Sequence, residues 1–274
     1  SVLVCSRDDR NTDNYDKVCT VVTVSGTTLS KGTTQVLTKG GEQFSVLGSA
    51  VLFVDAPTSM PTSMPTSLGV ALTYDGGMDW WLRAPTVIDC YADKADSQKG
   101  KCSVVAVGAD GTSLTRGSSV TVNDGATQYI FTTPLTSTTA VVCYRDDGNG
   151  DKATCNHLTL ASSGGTITKG PDLIVRDQAS LWMNVVGMST DTAIVCHRDD
   201  TSNGDRDGDC NVLTVGSGGS LTAGSGLEFS GQYTEQIFLT RMSETMAIVC
   251  WRRYVSGRDS DGYCFTLTMS GQPL

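Results

Sequence analysis

Two groups of residues in this 274-residue chain have types and spacing suited to chemistry, and both lie beside cysteines. Tyr91, Tyr144, His197 and Trp251 each directly follow a cysteine, and Arg145, Arg198 and Arg252 come next in three of the four cases. An aromatic plane beside a guanidinium suits sugars, because ring faces stack on C–H faces while Arg and Asp hydrogen-bond hydroxyl groups. The same residues also suit a scaffold, with the ring packed between repeats and the arginine paired to a neighbouring aspartate. The second group is acidic. "DGNGD" (Asp147, Asn149, Asp151) and "NGDRDGD" (Asn203, Asp205, Asp207) place oxygen atoms on alternate residues, as the first half of a calcium loop does. The bidentate glutamate of an EF-hand is missing, and Asp, Asn and Gly also make good turns. Calcium is therefore the one cofactor these loops suggest, with plain turns as the alternative.

Catalysis finds no comparable constellation. His157 and His197 are the only histidines, and neither falls in an HExxH or beside a GxSxG elbow. The slot of His197 holds Ser, Tyr or Trp in other repeats, which is not how a catalytic base behaves. Glutamates are few, and a glycosidase-type pair would have to recruit aspartates from crowded loops. The expectation is a protein without enzymatic activity.

The elements that hold these residues follow from the ten cysteines, Cys5/Cys19, Cys90/Cys102, Cys143/Cys155, Cys196/Cys210 and Cys250/Cys264, which are 12 or 14 residues apart within each pair. Zinc sites and redox dithiols use tight pairs such as CxxC, and none occurs. The first cysteine ends one apolar run and the second opens the next, so the two face each other across a hairpin, within disulfide reach. Closing a loop of this length contributes roughly 3 kcal/mol. Five such bridges imply an oxidising compartment, and hence a secreted protein.

Aligned on the first cysteine, "SVLVCSRDD", "TVIDCYADK", "TAVVCYRDD", "TAIVCHRDD" and "MAIVCWRRY" show a repeat that runs through the whole chain. Residues 179–229 read as four short strands bounded by Gly, Ser, Asp and Asn, and no segment has a sustained helical period. The predicted fold is all-β: a single β-propeller domain of about six, or seven, four-stranded antiparallel blades, most with an intra-hairpin disulfide. The ring would close by pairing of the chain ends, or by completion from another chain or from further residues. The second unit departs from the pattern. "SAVLFVDA" has Phe53 where a cysteine is expected, and a Pro/Thr/Ser/Met-rich insert at 56–68 follows, suited to O-glycosylation or to a plain flexible loop. Trp80 and Trp81 are adjacent, so in a strand they face opposite sides.

These units resemble a secreted repeat family of protist and algal extracellular proteins associated with β-propellers. The resemblance rests on Cys143, Tyr144, Arg145, Asp146, Cys155 and Asn156, and on their counterparts Cys196, His197, Arg198, Asp199, Cys210 and Asn211. It implies fold and extracellular compartment, and no activity comes with it.

The formal net charge of −9 and a pI of about 4.6 remove the basic surface that nucleic acids require, and no apolar stretch reaches a membrane span. The expected partners are glycans or other extracellular and cell-surface proteins, with self-assembly as a further mode. The function expected first is a recognition or adhesion module of lectin type. The alternative is a structural subunit of an extracellular filament, sheath or cell wall.

Overall fold

The computed structural model describes the backbone of residues 2–8, 16–25, 28–31, 35–38 and 49–52, together with residues 86–107, 113–161, 165–200, 206–254 and 261–269. The insert at 56–68, Trp80, Trp81, Asn203 and Asp205 lie outside the described residues. Apart from three short 3-10 turns, the regular structure of the described residues is all strand. No helix of the described residues is long and apolar enough to cross a membrane.

The strands form a succession of antiparallel sheets. The first holds β1 (Val2–Asp8), β2 (Asp16–Ser25), β3 (Thr28–Lys31) and β4 (Gln35–Thr38). The second holds β5 (Ser49–Leu52), β6 (Thr86–Asp93), β7 (Lys99–Val107) and the first part of the long β8 (Leu114–Pro134). The rest of β8 enters the third sheet with β9 (Thr139–Asp146), β10 (Lys152–Leu160), β11 (Ile167–Lys169) and the first part of β12 (Leu173–Gly187). The remainder of β12 joins β13 (Thr192–Asp199), β14 (Gly208–Val215), β15 (Leu221–Ala223) and β16 (Leu227–Ser230) in the fourth. The fifth has β17 (Thr234–Arg241), β18 (Met246–Arg253) and β19 (Asp261–Thr268). Among the described residues the sheets follow one another without closing into a ring. Ser49–Leu52 pairs with β6 as an inner strand, although its sequence aligns with the cysteine-bearing strands. A four-residue apolar run without a cysteine fits either place, and pairing decides.

Each hairpin has the register that its cysteines require. Cys5 stands opposite Cys19, Cys90 opposite Cys102, Cys143 opposite Cys155, Cys196 opposite Cys210 and Cys250 opposite Cys264. The last four pairs are disulfide-bonded, with Cα atoms 4.0–4.1 Å apart. An all-β protein so rich in disulfides is consistent with secretion.

A hydroxyl residue marks three passages between consecutive sheets, from the second sheet to the fifth. Thr127, Ser180 and Thr234 are fully buried, and each side chain donates to the carbonyl two residues back. Their backbone N–H groups donate to Gln98, Asp151 and Arg206 in the hairpin loop of the preceding sheet, at 3.0, 2.8 and 2.9 Å. Each of these three inner strands is thus clasped to the sheet before it.

Strand alternation gives each sheet a cysteine face and an opposite face, and these pack in one consistent order. Ile88, Cys90, Cys102 and Val104 of the second sheet meet Ala140, Val142, Tyr144 and Leu158 of the third. Val141, Cys143 and Cys155 of the third meet Ala193, Val195 and Leu213 of the fourth. Ile194, Cys196 and Cys210 of the fourth meet Ala247, Val249 and Leu267 of the fifth. Three disulfides are consequently interior, while Cys264 is exposed and Cys250 half-buried. Under mild reduction of dilute native protein, Cys250–Cys264 is expected to open first and the other three only on unfolding. Differential alkylation with mass mapping checks this, and early labelling of Cys143 or Cys196 would contradict the packing order.

Candidate functional site

The slot after each first cysteine faces a β-bulge. Between Gln128↔Arg145 and Phe131↔Cys143 the inner strand has one residue too many, so Tyr129 and Ile130 oppose Tyr144 alone. The same shift sets Trp182 and Met183 against His197, and Gln236 and Ile237 against Trp251. The first bulge residue is left-handed each time, with φ of 49° at Tyr129 and 50° at Trp182 and Gln236. Such a backbone costs a bulky residue about 1 kcal/mol or more, and the cost is offset by burial of the second bulge residue. Ile130, Met183 and Ile237 each enter the core shared with the preceding sheet.

That geometry decides where the slot side chains go. They lie on the face opposite the cysteines, turned toward the preceding sheet. Tyr144 is 1 % exposed, and its hydroxyl is shared between the Val122 carbonyl of the preceding sheet, at 3.1 Å, and Asn156 Oδ1, at 3.0 Å. Burial, reinforced by Asp172 and Asp146, pushes its pKa far up, so it remains a phenol. His197 is fully buried, and Tyr91 nearly so beneath the Arg116 guanidinium, which lies 3.9 Å from the ring centre. Trp251 is half-buried, stacked on Tyr263 and edge-on to Phe229 of the fourth sheet. His157 is buried on β10, with its pKa lowered by that burial.

The arginines are engaged by carboxylates. Arg145 donates to Asp147 at 2.5 Å and lies 3.5 Å from Asp151. Burial opposes its charge, but Asp147 and Asp151 outweigh it and raise its pKa. Arg198, 4 % exposed, reaches Asp200 at 3.3 Å, the Thr234 carbonyl at 3.4 Å and Glu235 at 3.9 Å. Arg252 lies 4.0 Å from the same Glu235. Glu235 and Thr234 start the next inner strand, so Arg198 ties the fourth sheet to the fifth.

Oxygens of the acidic loops, side-chain and main-chain, are also engaged within the fold. Asp147 accepts from both Arg145 and Gln128, and the Asp151 carbonyl accepts from Ser180 N–H. The Asp207 carbonyl accepts from Asp199 N–H. Among the described residues no three His, Cys, Asp or Glu side chains gather in a group that could hold a metal ion. The Asn residues after the second cysteines brace the turns beyond them. Asn156 donates to Gly170, Pro171 and Asp172, and Asn211 to Gly224.

A second set of aromatics, partly buried, stands at the hairpin-loop end of the inner strands. Tyr129 and Trp182, first residues of consecutive bulges, lie with ring centres 5.5 Å apart, and Arg145 stands 5.5 Å from the Tyr129 ring. Tyr233 pairs with Tyr254 at 5.0 Å, with Arg206 over the Tyr233 ring at 4.4 Å. The repeat spacing that aligns the cysteines also aligns Tyr129 with Trp182, but nothing in their local sequence signals a bulge.

Comparison with known proteins sets the limits of inference by likeness. No family model matches the chain, and no curated protein matches it. Among solved structures, a protein of unknown function from Dyadobacter fermentans superposes with a TM-score of 0.51 at 11% identity, covering 93% of this chain and 73% of that one. A point mutant of the NanB sialidase from Streptococcus pneumoniae gives a TM-score of 0.52 at 10% identity, covering 93% of this chain. This chain spans only 39% of that sialidase. At such identities the likeness is one of fold alone.

Proposed function

We propose that this protein is a non-enzymatic, extracellular structural module whose consecutive sheets are blades of a β-propeller-type array, and that it acts by assembly outside the cell. The observation that carries the reading is the burial of the repeated aromatic slot. Tyr91, Tyr144 and His197 fill the spaces between sheets, and Arg145 and Arg198 are held by carboxylates, so the repeat puts its most distinctive residues into its own cohesion. The radial arrangement is supported by the succession of inner strands, three of them clasped to the preceding hairpin. Secretion is supported by the disulfides. Electron microscopy of native material is expected to find the chain within a polymer; native material made only of isolated single-chain particles would overturn the assembly reading.

A second reading, glycan recognition, is favoured by the Tyr129–Trp182 pair beside Arg145. The parts of these two partly buried rings that remain accessible, with the guanidinium beside them, offer a sugar's C–H face a place to stack. Glycan-array binding lost in Trp182→Ala would establish it, and a silent array would remove it.

A further inference from the structure

We propose that the cysteine face of the fifth sheet is a docking face for a second copy of this chain, joined head to tail. The proposal rests on the assembly reading above and names its contact surface. Three successive interfaces inside the molecule obey one rule: the cysteine face of each sheet is covered by the opposite face of the next. The fifth sheet has used its opposite face, at Ala247, Val249 and Leu267, on the fourth. Among the described residues nothing covers its cysteine face.

Equivalent residues measure the difference. Phe131, opposite Cys143, is 8 % exposed in the core, whereas Phe238, opposite Cys250, is 57 % exposed. Ile88 and Ile194 are buried, but their counterpart Ile248 is only half-buried. Met246 shares the face and is exposed too. Of the eight large apolar side chains exposed among the described residues, Phe238 and Met246 lie on this face, whereas Tyr263 and Phe265, paired with Trp251 and Val249, lie on the other. Large apolar side chains exposed together on one face mark an interaction surface.

The internal interfaces also define the occupant. In each, the covering face presents an Ala-x-Val pair and a leucine: Ala140, Val142 and Leu158, then Ala193, Val195 and Leu213, then Ala247, Val249 and Leu267. The first sheet has the same hairpin register, and its sequence has Val2, Val4 and Val22 at these positions. A second copy therefore supplies a covering sheet of the right kind. The contact joins unlike faces, and heterologous contacts propagate rather than close in pairs.

Sedimentation velocity of the purified chain over a range of concentrations, with Phe238→Asp and Met246→Lys as separate variants, tests this. Both side chains are exposed, so the fold is expected to survive, with near-UV circular dichroism as the control; two independent variants keep the test readable if one misfolds. The wild type is expected to associate with rising concentration, and each variant to associate about thirtyfold more weakly. Association unchanged in both variants would overturn the docking face while leaving the assembly reading standing. A wild type that stays monomeric throughout, with Cys250–Cys264 as resistant to reduction as the interior disulfides, would overturn both: the face is then covered by the chain's own first sheet.

Discussion

Tyr144→Ala is expected to destabilise the protein by about 4 kcal/mol, the usual cost of emptying a large aromatic site in a packed core. Tyr144 is one of the largest fully buried side chains, and its ring contributes to the core between the second and third sheets. Removing it leaves a cavity that the clasped strands on either side are poorly placed to collapse, and it strands the Asn156 and Val122 acceptors. Tyr144→Phe keeps the ring and loses only the hydroxyl, at about 1 kcal/mol. Urea denaturation with unchanged slopes reads both differences. A ring placed at the surface for ligands would give the opposite pattern: binding lost and stability within about 0.5 kcal/mol of wild type. Against a total stability of about 5–15 kcal/mol, the alanine variant should be visibly weakened.

The second large effect is on acid stability. His197 is fully buried, and neither ring nitrogen makes a hydrogen bond of ordinary geometry. Burial lowers its pKa to about 4; Asp209 opposes the shift, Arg176 adds to it, and contacts to the Arg198 backbone and Asn211 oppose it weakly. In the unfolded chain the ring takes its proton near pH 6.5, and in the fold only near 4. As pH falls through that window the unfolded state binds more protons, so stability declines with acidification. The full loss from this residue is about 3 kcal/mol, complete by roughly pH 4. Above pH 6.5 the ring is neutral in both states and adds no pH dependence. His197→Leu, which fills a similar volume without a titrating group, is expected to remove the decline. Thermal melts of both proteins between pH 7 and 4 measure the difference; parallel curves would contradict a buried neutral histidine. Carboxylates such as Asp172, whose pKa is lowered in the fold with Lys169 and Asn156 countering its burial, lose their contribution at lower pH. The comparison isolates the histidine.

How much of this was legible in the sequence depends on the length scale of the cause. The hairpin registers were, because a disulfide between neighbouring strands allows one alignment, and the repeat transferred it from Cys143–Cys155 to the others. The strand character was too, from short β-branched runs between turn residues. The destination of the slot residues was left open between ligand and scaffold. Alternation shows that Tyr144 and Cys143 face opposite sides, but it does not say that both sides are covered. That follows from sheet-on-sheet order, which is tertiary. The bulge was invisible for a related reason: one extra residue breaks the two-residue period at Tyr129 or Trp182, and neither is the glycine usually found in a left-handed position. The partly buried aromatic pair was missed with it. The arginines were better signalled, since Arg145 and Asp147 sit two residues apart and the scaffold alternative paired Arg with a neighbouring Asp. The link from Arg198 to Glu235 spans two sheets and had no local trace.

Nitration of tyrosines in the dilute native protein, mapped residue by residue, tests the central claim that the repeated slot is interior. Tyr91 and Tyr144, at 8 % and 1 % exposed, are expected to stay unmodified while Tyr254 and Tyr263, at 43 % and 38 %, react. Nitration of Tyr144 as fast as Tyr263, in protein whose near-UV spectrum remains native, would contradict it.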